Sequence, residues 1–127
     1  MKINHIALYT NQLEKMKHFY ETYFDAKSNE RYYNEKKQFR SYFLIFEENI
    51  RLEIMEKPNV EVRDSSKESL GFVHIAFSVG SKENVEQLTK RLVDAGYSLY
   101  SEPRVTGDGY YESCVGDPDG NRIEITI

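Results

Sequence analysis

Apolar and polar positions alternate in short runs along this chain, and in each half one helical stripe interrupts them. Residues 3–9 predict a strand with Ile6 and Leu8 on one face and His5, Ala7 and Tyr9 on the other. Leu13, Met16, Tyr20, Tyr23 and Phe24 then recur at helical spacing, behind Asn11 as the expected N-cap and Glu14 as its capping-box partner. Residues 28–35, 39–47 and 50–56 read as an antiparallel meander, in which the run from Phe39 to Phe46 is apolar enough for burial on both faces. Glu47-Glu48-Asn49 supplies the turn into the last of these strands. Residues 57–70 are polar, carry Pro58 and the run Ser65-Ser66-Lys67-Glu68, and read as a linker.

The second half follows the same order. Residues 72–79 predict a strand, and Ser81 caps a helix with the stripe Val85, Leu88, Leu92 that stops at Gly96. Strands are expected at 97–104, 110–116 and 121–127, with Asp117-Pro118-Asp119-Gly120 as the last turn. The expected fold is α+β. Two βαβββ modules, 1–56 and 71–127, form one domain whose mixed sheet curls into a cup with helices on its outer face.

The repetition reaches individual residues. His5-Ile6-Ala7-Leu8 is matched by His74-Ile75-Ala76-Phe77, and Arg51-Leu52-Glu53-Ile54 by Arg122-Ile123-Glu124-Ile125. The two His are separated by two positions fewer than the two Glu, and the longer turn at residues 117–121 accounts for the difference. Strand parity puts Leu52 and Ile54, and Ile123 and Ile125, on the faces that pack on the helices. His5, Glu53, His74 and Glu124 then fall on the opposite faces, where core packing gives no reason to repeat them. They are a candidate set of four metal ligands. Imidazole with carboxylate, and no thiolate, suits Zn, Ni, Co, Mn or Fe(II), and an open position on such an ion polarises a substrate carbonyl.

Composition narrows the classes of function. A net charge of −4 without a basic block argues against nucleic acid as a partner. No apolar run approaches the roughly 20 residues of a membrane span, and Met1-Lys2-Ile3-Asn4 leads into a strand without a signal stretch, so a cytoplasmic location is expected. One cysteine, Cys114, excludes an internal disulfide and reads as a buried, inert thiol. Gly107-Asp108-Gly109 permits a flexible loop. Tyr110 and Tyr111 after it, with Arg104, Thr106 and Tyr9, are candidate pocket residues for a small-molecule substrate.

With these residues in view, the whole chain resembles the vicinal oxygen chelate superfamily, also called the glyoxalase/bleomycin resistance/dioxygenase superfamily. The marks are the paired HIA strands, GFVHIAF around His74 and the ending DPDGNRIEI. Within it the His/Glu/His/Glu set is similar to that of glyoxalase I, the lactoylglutathione lyase. The resemblance implies that His5, Glu53, His74 and Glu124 hold a divalent ion in a homodimer, each site drawing one His/Glu pair from each subunit. It also implies a lyase that isomerises the hemithioacetal of a 2-oxoaldehyde through an enediolate, with Glu124 or Glu53 moving the proton. Bacterial glyoxalase I enzymes usually carry Arg four residues after the first His and Asn four after the first Glu. Here Tyr9 and Lys57 stand there, so the resemblance carries the metal chemistry further than it carries glutathione. Two alternatives stay open: a metallothiol transferase of the fosfomycin-resistance type, and a binding or sequestration protein of the bleomycin-resistance type.

Overall fold

The computed structural model describes residues 1–127 and divides into two compact units, Met1–Arg63 and Asp64–Ile127. The first runs β1 (Ile6–Tyr9), α1 (Leu13–Tyr23), β2 (Lys27–Ser28), β3 (Tyr32–Asn34), β4 (Phe39–Ile45) and β5 (Arg51–Glu56). The second runs β6 (His74–Ser78), α2 (Lys82–Asp94), β7 (Leu99–Val105), β8 (Tyr111–Gly116) and β9 (Arg122–Thr126). The architecture is α+β, with two βαβββ-like modules. No helix or strand forms between Glu56 and His74, and the boundary between the units falls in that stretch. No helix is long and apolar enough to cross a membrane.

Both sheets are mixed. In the first the order is β1-β5-β4-β2, with β3 also on β4, and β1 runs parallel to β5 while the other pairs are antiparallel. In the second the order is β6-β9-β8-β7, and β6 runs parallel to β9. The stretch expected as one strand over 28–35 is broken into β2 and β3. Asn29 explains the break: its side-chain Oδ1 accepts the Phe43 N–H at 2.8 Å, and the pairing slips by one residue between Ser28↔Leu44 and Tyr32↔Ser41.

One face of each sheet is dry. Leu44, Leu52 and Ile54 are buried with Leu13, Met16, Phe19 and Tyr20 of α1, and Val115, Ile123 and Ile125 with Val85 and Leu92 of α2. Each such side chain contributes about 1.5–3 kcal/mol when fully buried. Phe19 belongs to the first stripe although the sequence reading passed over it. In α2, Thr89 is buried and Leu88 only half-buried. Thr89 tolerates this because its hydroxyl donates to the Val85 carbonyl and meets the Ser113 hydroxyl, each at 2.6 Å.

The helix ends differ from each other. The Asn11 cap does not form: α1 starts one residue later than expected, with Gln12 at the cap position and no side-chain cap bond. Thr10 Oγ1 accepts the Gln12 N–H at 3.0 Å, and Glu14 accepts the Tyr42 hydroxyl at 2.9 Å, tying helix to sheet in place of a capping box. Ser81 does cap α2, its Oγ accepting the Asn84 N–H at 3.1 Å. At the far end, Gly96 (φ +90) permits a Schellman closure, with Tyr97 N–H on Leu92 O and Gly96 N–H on Val93 O. Ser81→Ala is expected to lower unfolding free energy by about 1 kcal/mol, read as a shifted urea midpoint at unchanged slope.

Candidate functional site

The parallel pairing of first and last strand in each module sets the geometry. In the first unit Ala7 lies opposite Glu53, and His5 stands two residues before Ala7 on the same face. In the second, Ala76 lies opposite Glu124, and His74 stands two residues before Ala76. The register is therefore identical. The alanine opposite each Glu is exposed and leaves that position open. His5 Nε2 comes to 3.7 Å from Glu53 Oε2, and His74 Nε2 to 3.2 Å from Glu124 Oε2. Both histidines are more than a third exposed, and the carboxylates are 17% and 22% exposed, so each pair is half-sheltered and open to a ligand.

Around His5 and Glu53 the sheet face is aromatic and cationic. Phe43 lies opposite Glu53 and meets the His5 ring edge-to-face at 5.3 Å. Arg51 lies over the Phe43 ring and also donates to Asn4 Oδ1 at 2.6 Å. Tyr9 closes this face, and the Lys57 ammonium sits 4.9 Å from its ring centre. The two positions that depart from the glyoxalase I pattern thus pack on each other.

Around His74 and Glu124 the face carries Glu112, which the sequence reading did not single out, and Cys114, which was expected to be buried and is half-buried there. Cys114 lies opposite Glu124, and Glu112 lies opposite Thr126 on one side and Arg104 on the other. Burial and then the Glu124 charge push the Glu112 carboxyl up, while Arg104 pulls it back. Burial raises the Cys114 thiol, with Arg122 opposing, which keeps the thiol protonated and unreactive. Arg122 stacks on Tyr100 at 4.4 Å. Alternation through 110–116 was the signal that could have placed Glu112 and Cys114 beside Glu124.

Of the other candidate pocket residues, Arg104 is gathered with these, and Tyr111, Thr106 and Tyr110 are not. Tyr111 lies one position out of phase with Glu112, on the face toward α2. Its hydroxyl donates to Glu86 at 2.7 Å and Lys82 lies over its ring, so parity removes it from the Glu124 face. Thr106 holds the β7–β8 turn, donating to Asp108 and accepting the Tyr110 N–H at 3.0 Å. Tyr110 is exposed at that turn. Arg104 shares the Glu112 face and donates to Ser101 Oγ at 2.5 Å.

The donor set fits a divalent cation. A neutral imidazole nitrogen that faces a carboxylate oxygen is repelled unless a proton or a cation lies between them, and the arrangement occurs twice. The nitrogen and oxygen donors are of the hardness that Zn, Ni, Co, Mn and Fe(II) accept. No third His, Cys, Asp or Glu joins either pair.

Comparison with known proteins places this geometry in context. The family model of the Glyoxalase/Bleomycin resistance protein/Dioxygenase superfamily matches residues 2–125. An uncharacterized protein of Bacillus subtilis, YqjT, is 30% identical over 97% of this chain and 96% of its own. A glyoxalase family protein from Enterococcus faecalis superposes with a TM-score of 0.81 at 25% identity, covering 99% of this chain and 97% of that one. The trypanothione-dependent glyoxalase I of Leishmania major shares the fold, with a TM-score of 0.77 at 20% identity over 99% of this chain and 86% of that one.

Proposed function

Because the chain belongs to the glyoxalase/bleomycin resistance protein/dioxygenase superfamily, we propose that it is a metal-dependent lyase or isomerase of the glyoxalase I type. Its substrate is a hemithioacetal of a 2-oxoaldehyde, or a similar molecule with vicinal oxygens. The observation that carries the reading is the approach of His Nε2 to Glu Oε2, made twice at the same register. His5, Glu53, His74 and Glu124 would hold the ion. A catalytic divalent ion takes three or more protein ligands, and each pair supplies two. By the resemblance to glyoxalase I, complete sites would arise by joining half-sites in a homodimer, one pair from each subunit.

A divalent ion held by these residues would supply Lewis acidity toward a substrate carbonyl. The protein moves the proton. Glu124, half-sheltered beside His74, takes it from the carbon next to the carbonyl and returns it to the neighbouring carbon, with Glu53 as the equivalent group of the other half-site. Phe43 gives one wall an apolar surface against water. Tyr9 and Lys57 stand where bacterial glyoxalase I enzymes usually carry the Arg and Asn that serve glutathione, so the thiol partner is left open.

The test is direct. Protein purified without chelator is analysed for metal, reloaded with each divalent ion in turn, and supplied with hemithioacetals of methylglyoxal made from several thiols. Turnover with at least one pairing of metal and thiol is expected. Failure with all of them overturns the reading.

A further inference from the structure

Within the first half-site, resting on the metal reading above, the contacts around Asn4 go further than ligand identity. We infer that Asn4 and Arg51 are positioning residues that fix His5 as the Nδ1–H tautomer and aim its Nε2 at the ion. The proton on Nδ1 follows from the partners. The Arg51 guanidinium has only donors, and its Nη2 lies 2.6 Å from Asn4 Oδ1, so the Asn4 atom turned toward both side chains is the carbonyl oxygen. His5 Nδ1 lies 2.8 Å from that same oxygen. The neutral ring carries one proton, and of its two acceptors only Asn4 Oδ1 is within hydrogen-bond distance, Glu53 Oε2 lying 3.7 Å from Nε2, so the proton sits on Nδ1. Arg51 Nε also reaches the Asn4 backbone carbonyl, at 3.4 Å. The Phe43 ring, covered by Arg51 and meeting His5 at an interplanar angle of 89°, limits rotation of the imidazole.

The device belongs to one half only. Val73 stands before His74 where Asn4 stands before His5, and offers no side-chain acceptor. Arg122, the counterpart of Arg51, is turned to Tyr100 and Cys114. The duplicated ligand pairs are thus supported unequally, and the His5 half is the one organised before the ion arrives. Partners of this kind orient a ligand nitrogen, and their loss typically costs 10–100-fold in metal affinity.

Two readouts test the inference on the full-length protein. In metal-free protein at alkaline pH, nitrogen chemical shifts from NMR report the His5 tautomer. Wild type is expected to show Nδ1–H, Asn4→Ala a mixture, and Asn4→Asp, which keeps an acceptor oxygen, Nδ1–H again. Zinc affinity, measured by competition with a chromogenic chelator, is expected to fall 10–100-fold in Asn4→Ala, less in Arg51→Met, and to recover in Asn4→Asp. An Nε2–H tautomer in wild type, or zinc affinity in Asn4→Ala equal to wild type, overturns the inference. A wild-type protein that binds none of the divalent ions overturns the metal reading instead, while the tautomer measurement still decides the role of Asn4. A lowered melting temperature with unchanged tautomer and affinity assigns Asn4 to stability alone and also overturns it.

Discussion

Replacing Glu124 with Gln is expected to lower kcat for the active hemithioacetal by about 10²–10⁴-fold, the span that a positioned proton-transfer group supplies. The amide keeps the size and one acceptor oxygen of the carboxylate, so the apolar residues on either side, Ile123 and Ile125, keep their packing. It cannot take up a proton. It is also a poorer ligand, so metal content is measured beside rate, and the rate is compared at saturating metal. A loss of kcat at full metal occupancy identifies Glu124 as the proton carrier, whereas recovery of activity by excess metal identifies it as a ligand only. Glu53→Gln provides the second arm. In a glyoxalase I type site it removes a ligand and lowers occupancy. In a three-ligand metallothiol transferase it leaves occupancy and activity near wild type. Circular dichroism melts of both variants separate loss of chemistry from loss of fold.

The features that were legible in the sequence are those enforced by period and parity. Leu52 and Ile54, and Ile123 and Ile125, are buried as alternation requires, and that alternation assigns Glu53 and Glu124 to the other face. The order of elements followed from stripes and turns, and Ser81 and Gly96 bound α2 because a hydroxyl and an achiral residue meet specific backbone needs there. What was not legible depended on competition between partners. Asn11 was a good cap by type, but Thr10 and the Glu14–Tyr42 contact took over its role. Asn29 broke a strand by offering its side chain to the Phe43 amide. Tyr111 was grouped with Tyr110 by adjacency, although neighbours on a strand face opposite ways. Glu112 falls on the Glu124 face by the same parity rule, but its counterpart in the first half is Ser41 and not an acid, so the repeat does not mark it. The alanines opposite Glu53 and Glu124 were in the HIA motif, but only the parallel register explains why they are small.

The stability of the second unit is expected to fall as pH rises from about 4 to 7, through one buried carboxyl. Asp117 is 4% exposed at the head of the last turn. Its oxygens accept the Asp119 and Asn121 N–H groups, each at 2.9 Å, and the Asn121 side-chain amide at 2.8 Å. These donors favour the carboxylate, but burial outweighs them and pushes the pKa from 3.8 up to about 6. The surroundings show why the site is dry: Tyr100 donates to the Gly120 carbonyl, and a Cβ added at Gly120 would meet Ser65 Oγ at 2.7 Å. Because the folded pKa lies above the unfolded one, the folded state binds the proton more tightly. The stabilisation is complete below the unfolded pKa and is lost as pH rises through about 6. A shift of this size corresponds to about 3 kcal/mol. Asp117→Asn removes the titration while its Oδ1 still accepts the two backbone N–H groups, and Asn121 can turn its own carbonyl to the new amide. Urea unfolding of both proteins across this pH range is expected to show the variant gaining on wild type by about 2 kcal/mol between pH 4 and 7, the rest of the shift falling below pH 4. A constant difference between them would mean that the turn donors hold Asp117 ionised in the fold, and that its burial is fully compensated by hydrogen bonds.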